Sequence, residues 1–168
     1  INQKKHIKVI LNRFDPLSKK IAATPMIPDI ENIANPSTNS EHVHHSIPFR
    51  QAIGSLLYIQ NGTRPDISFS INWLSRRQSK FSQKDWEAVI RIMRYLRGTI
   101  DLGLTFSGNT NDLNCYVDAS LGLKDVNGHS TTGYIVTLFG DPIIWKTKKQ
   151  SHVALSSSES EFVAMSSA

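Results

Sequence analysis
Apolar residues recur at helical spacing through the first half of the chain and alternate at strand spacing through the second. In KKHIKVILNRF, Ile7, Ile10, Leu11 and Phe14 stand at i, i+3, i+4 and i+7, which predicts a helix from about Lys4 to Phe14. PFRQAIGSLLYIQNG sets Phe49, Ile53, Leu56, Leu57 and Gln60 near one face and stops at Asn61 and Gly62. TRPDISFSINWLSRRQ puts Pro65 in a first-turn position, Asp66 where negative charge suits a helix N-terminus, and Ile67, Ile71 and Leu74 on one side. The clearest helix is SQKDWEAVIRIMRYLRGT. Ser82 is placed to cap it, Trp86, Val89, Ile90, Met93 and Leu96 form its stripe, Gly98 ends it, and Glu87 and Arg91 are spaced to pair. Between the first helix and these three, the polar, proline-punctuated residues 16–48 carry no period. They read as a connector, long enough to serve as a tether or a mobile segment.

After Gly98 the period shortens to two. LGLTFSG runs into a turn signal, LNCYVDAS alternates Leu113, Cys115 and Val117 with polar neighbours, and TTGYIVTLFG and DPIIWKTK hold the β-branched and aromatic residues of strands. Gly122, Asn127 with Gly128, and Gly140 with Asp141 mark hairpin turns, and ESEFVAMSSA reads as a closing helix. Helical segments all precede strands, so the expected class is α+β: a helical unit over 1–98, then an antiparallel β-β-β-α unit over 111–168.

At 168 residues the chain can bury a sizeable core. Its 19 Lys and Arg against 14 Asp and Glu give a net charge of +5, a balance that favours polyanions without requiring one. The single cysteine, Cys115, excludes an internal disulfide and, in an apolar strand, reads as core rather than nucleophile. No apolar run approaches a membrane span. The first residue is Ile1 rather than Met, which suggests a piece of a longer product.

Few residues offer chemistry. Asp118, closing LNCYVDAS, is either a strand-ending turn aspartate or a carboxylate at a sheet rim where a hard cation such as Mg²⁺ could bind. Ser158 to Glu161 has the spacing of a capping box, as has Ser156 to Glu159 one register earlier, so one glutamate can cap and the other is left to be explained. His42, His44 and His45 lack regular metal-ligand spacing and read as a solvated loop. Lys146, Lys148 and Lys149, and Arg76, Arg77, Arg91, Arg94 and Arg97, are either solvated charge or phosphate contacts.

In order, FRQAIGSLLYI, TRPDISFSIN, DWEAVIRIMRYLRGT, YVDAS, HSTTGYIV, IIWKTKKQ and VALSSSESEFVA closely resemble the C-terminal part of the Pol polyprotein of copia-type LTR retrotransposons. The resemblance spans nearly the whole chain. It implies that 1–98 is the end of a reverse transcriptase, a thumb or connection segment, and that 111–168 is the first half of a ribonuclease H-like domain. Asp118 would then be the first-strand catalytic and metal-binding aspartate, and Glu161 the glutamate on the first helix. Glu159 would be the capping or first-turn charge. The cofactor implied is Mg²⁺, two ions about 3.5–4 Å apart that activate water and stabilise the leaving oxygen as the RNA strand of an RNA–DNA hybrid is cut. Two further acidic ligands of the family would follow Ala168, and the polymerase aspartates would precede Ile1. Leu121 stands where the family usually has tryptophan.

These implications set the functional expectation: a Pol segment whose ancestral activity is two-metal hydrolysis of hybrid RNA, inactive on its own, with Arg91, Arg94, Arg97, Lys146, Lys148 and Lys149 contacting nucleic acid. Expected partners are an RNA–DNA hybrid or other nucleic acid and the rest of the polyprotein, with no membrane, in the cytoplasm (a virus-like particle) or nucleus. The alternatives are a non-catalytic nucleic-acid-binding or structural remnant and a decayed copy that never folds stably.

Overall fold
The computed structural model describes residues 1–28, 47–108, 110–121 and 128–168. The histidines at 42, 44 and 45, most of the connector, and the turn residues Gly122 and Asn127 lie outside these. The described residues form a mixed α+β protein of five helices and one three-stranded antiparallel sheet, divided into units 1–103 and 104–168.

The first unit is helical: α1 (Lys4–Phe14), α2 (Phe49–Thr63), a 3-10 turn (Pro65–Ile67) leading into α3 (Ser68–Ser75), and α4 (Gln83–Gly98). Its core joins Ile7, Ile10 and Leu11 of α1 to Ile53, Leu56 and Ile59 of α2, Ile71 and Leu74 of α3, and Val89, Ile92, Met93 and Leu96 of α4. The stripe on α4 is rotated from the expected one. Ile92 is fully buried while Ile90 and Trp86 are only partly so, because Val89, Ile92, Met93 and Leu96 complete the i, i+3, i+4, i+7 set that faces α1 and α3. Ser82 caps α4 by accepting from the Asp85 amide while the Asp85 carboxylate accepts from the Ser82 amide, a reciprocal box that satisfies two terminal donors.

Residues 17–28 of the expected tether are laid along α4. The Ala22 amide donates to the Arg94 carbonyl at 3.4 Å, Ile21 lies against Gly98, and Arg97 reaches Asp15 and the Lys20 carbonyl. Glu87 and Arg91 form no ion pair; Arg91 donates instead to Thr24 Oγ1 at 3.0 Å.

The second unit contains β1 (Leu113–Ser120), β2 (Thr131–Leu138), β3 (Asp141–Lys149) and α5 (Ser157–Met165), with strand order β1-β2-β3. LGLTFSG adds no strand. Its Ser107 and Gly108 amides donate to the Asp141 carboxylate at 2.6 and 2.9 Å, fastening the chain to the start of β3. The β2–β3 turn is Phe139–Gly140, both at positive φ (56° and 87°), so Asp141 belongs to the strand, paired with Leu138. Pro142 sits beside a register shift at Val136/Thr137, where a missing amide donor is tolerated.

Burial in β1 corrects the sequence reading. Cys115 is exposed and Leu113 is 68% exposed, so neither is core. The reason is length: nine helical residues at about 1.5 Å each cover only about half of eight strand residues at about 3.3 Å each. Helix α5 packs on β1 and β2 near Ala119 and Thr132 and leaves the other half of the sheet open.

Candidate metal centre
Asp118 lies third from the end of β1, opposite Gly133 of β2, which in turn pairs with Thr147 of β3. Side chains alternate across a strand, so Asp118 shares a face with Tyr116 and Ser120, while Val117 and Ala119 face the other way. A Cβ added at Gly133 would meet nothing within 4 Å, so the surface beside Asp118 is bare. In the described residues β1 is an edge strand, its far side without a neighbour.

Glu161 stands on the second turn of α5, between the buried Ser160 and the half-buried Val163, on the flank of the surface that meets the sheet. The cap is formed one register earlier than Ser158–Glu161. Ser156 Oγ accepts from the Glu159 amide at 3.1 Å, and Glu159 Oε2 accepts from the Leu155 amide at 2.7 Å. Glu159 is therefore the capping acid and Ser156, not Ser158, the N-cap. Among the described residues, neither Asp118 nor Glu161 has a side-chain hydrogen-bond or ion-pair partner.

Gln150, just after β3, anchors α5 to the sheet. Its amide donates to the Ser130 carbonyl at 2.8 Å, and its Nε2 donates to Thr132 Oγ1 at 3.0 Å and to the Ser160 carbonyl at 2.9 Å. The residue is buried, so these bonds fix the turn that carries Glu161 against β2. No sequence pattern announced this role, because a glutamine after a lysine run looks like one more polar surface position.

Thr132 is on the face that α5 covers, and Asp118 is on the other. The donors are carboxylates, the type hard cations prefer. Among the described residues, no three His, Cys, Asp or Glu side chains gather to hold a metal.

The basic candidates divide. Lys146 and Lys148 are exposed on β3, and Lys149 is half-buried on the opposite face, the face of Asp118. Arg97 is turned inward: its guanidinium holds the Asp15 carboxylate and the Asp15 and Lys20 carbonyls at 2.8–3.1 Å. Arg91 and Arg94 line a cleft beside residues 20–27. Arg76 and Arg77 are also engaged, with Asn72 and with the buried Asp85.

No helix among the described residues is long and apolar enough to cross a membrane. No family model matches the chain, and no solved structure matches it. Curated proteins do. The chain is 36% identical over 167 residues to the retrovirus-related Pol polyprotein from transposon TNT 1-94 of Nicotiana tabacum, covering 98% of the chain and 13% of that protein. It is 36% identical over 163 residues to the corresponding polyprotein from transposon RE2 of Arabidopsis thaliana, covering 96% of the chain and 11% of that protein. The chain thus spans about an eighth or less of these polyproteins. It is also 37% identical over 124 residues to the secreted RxLR effector protein 161 of Plasmopara viticola, covering 73% of the chain and 87% of that shorter protein. Similarity of this extent to transposon polyproteins, at more than a third identity along nearly all of the sequence, makes the chain a member of the copia-type retrotransposon Pol polyprotein family.

Proposed function
We propose that this Pol segment joins the last helices of a reverse transcriptase to the β-β-β-α opening of a ribonuclease H-like domain. In this reading Asp118 and Glu161 are two of its metal-binding carboxylates. The observation that supports the reading is that, among the described acids of the second unit, Asp141 and Glu159 are tied to backbone amides, while Asp118 and Glu161, like Asp112 just before β1, have no side-chain partner among the described residues; the family resemblance picks out Asp118 and Glu161. When bound, Mg²⁺ would lower the pKa of an attacking water and neutralise the leaving oxygen. Asp118 would hold its side of the site from the strand end, and the bare surface over Gly133 would leave room for a sugar–phosphate backbone to pass. Glu161 would reach in around the β1 edge from a helix that Gln150 fixes in place. Lys149, on the Asp118 face, would supply a phosphate contact, while Lys146 and Lys148 are exposed on the opposite face of β3.

These residues carry two of the four carboxylates that the family resemblance implies, so the chain alone should leave hybrid intact. In the Pol polyprotein that contains the segment, Mg²⁺-dependent cleavage of an RNA–DNA hybrid should fall at least a hundredfold in Asp118→Asn and in Glu161→Gln, with hybrid binding retained. Cleavage unchanged in both variants sinks the assignment.

A second, non-catalytic reading has its own support: a matching region makes up 87% of a separate secreted protein in Plasmopara viticola. If the chain only binds nucleic acid, its affinity for hybrid should drop steeply with salt while no metal dependence appears.

A further inference from the structure
A cleft of about 740 Å³ opens in the helical unit between residues 20–27, α3 and α4. That volume lies within the usual range for ligand pockets. Its interior is aliphatic: Ile21, Met26, Leu74 and Ile92 line it, and none of its lining residues is aromatic. Lys20, Lys84, Arg91 and Arg94 also line it, against the single carboxylate of Glu87.

The two arginines are under-used. Among the described residues, Arg94 has no side-chain hydrogen-bond or ion-pair partner, and its Nε is shielded from water without an acceptor. Arg91 gives one terminal nitrogen to Thr24, and its Nε is likewise shielded and unpaired. Shielded donors without acceptors are uncommon in folded proteins and invite an explanation. An anion on the terminal nitrogens would offset the positive charge gathered here, and a carboxylate fits the guanidinium fork in a bidentate pair.

The aliphatic interior decides what carries the anion. Unpaired nucleic acid gains much of its affinity by stacking bases on aromatic side chains, and this cleft offers none. A leucine or isoleucine side chain beside a glutamate or aspartate satisfies both halves of the site.

We propose that the cleft between residues 20–27 and α4 docks an acidic peptide segment, its carboxylate paired with Arg94 and Arg91 and its neighbouring aliphatic side chain seated on Ile21, Met26 and Ala88, above the buried Leu74 and Ile92. This goes beyond the metal-site reading and does not depend on it. It also gives two arginines first expected on nucleic acid a different partner.

The test is fluorescence anisotropy of the whole chain with four labelled probes: a short peptide alternating leucine and glutamate, its leucine–glutamine counterpart, oligoglutamate and oligothymidylate. Saturable binding of the leucine–glutamate peptide is expected, with the leucine–glutamine peptide and oligoglutamate each at least tenfold weaker. Arg94→Ala should weaken the first peptide at least tenfold. Lys84→Glu, on the exposed surface of α4, should weaken it severalfold with an unchanged circular dichroism spectrum, which separates loss of the site from loss of the fold. Failure of the leucine–glutamate peptide to bind overturns the proposal. So does equal binding by both variants, or preferential binding of oligothymidylate, which would return the cleft to nucleic acid.

Discussion

At the scale of single residues, the helical unit rests on one buried cation that its sequence half discloses. Arg64 is 1% exposed, and its guanidinium donates to Asp66 at 2.7 Å, to the Thr99 carbonyl at 3.0 Å and to Thr99 Oγ1 at 2.6 Å; Tyr95 closes the ring by donating to Asp66 at 2.8 Å. The group ties the α2–α3 junction to the end of α4. Sequence reading gave Asp66 a role in the helix field, since a first-turn acid beside proline predicts that, but nothing in the spacing showed that Arg64 turns inward. Burial pushes the Asp66 carboxyl upward, yet hydrogen bonds from Arg64 and Tyr95 and the Arg64 charge outweigh it and hold it below the ordinary 3.8. A carboxyl depressed in the folded state stabilises the fold above its unfolded value, and that contribution is lost as pH falls through the folded value. Melting temperature should therefore decline as pH drops below about 4, and Asp66→Asn should remove part of that decline. At pH 7 the same substitution leaves a buried arginine poorly paired and should cost on the order of 2 kcal/mol in chemical denaturation.

Elements were legible where a face is buried and misread where it is not. Helix α4 was evident from its period and its Ser82 cap, yet its stripe is turned toward Ile92, because a run of apolar and half-apolar residues (Val89, Ile90, Ile92, Met93) fits two adjacent phases and only packing against α1 and α3 selects one. Strand β1 was evident from its alternation, but Leu113 and Cys115 are exposed, since alternation reports which residues share a face and not whether anything covers it. For α5, sequence offered two capping registers. The structure takes Ser156 with Glu159, which sets Glu161 free of any capping bond. What holds α5 down is Gln150 rather than an apolar stripe, since only Ser160 and Ala164 of the helix are buried. Gln150→Leu should thus speed amide exchange across 157–165 at least tenfold while exchange in α4 stays unchanged, as read by exchange mass spectrometry.

Across the whole molecule the two units differ in how they are held. Fifteen of the buried apolar residues cluster in the helical unit, whereas the only buried apolar residues described in the second are Ala154 and Ala164. Apolar burial is the main favourable term in folding, so the second unit should be the weaker one. Hydrogen exchange should show the amides of β1 and β2 opening by milder events than those of α2 and α4, despite a regular ladder of strand pairs. The division into helical and strand parts was legible because the period changes. The thinness of the second core was not, because Ile135, Ile143 and Ile144, apolar by sequence, are 40%, 42% and 51% exposed. In the proposed function, Asp118 and Glu161 share one cation site at the edge of that open sheet. Paramagnetic broadening by Mn²⁺, an oxygen-seeking stand-in for Mg²⁺, tests it most directly in the NMR spectrum of the chain itself. Amides around 118 and 161 should broaden together over the same metal concentrations, and Asp118→Asn should abolish the effect at both places. Broadening at only one of them, or at 161 undiminished in Asp118→Asn, would contradict a shared site.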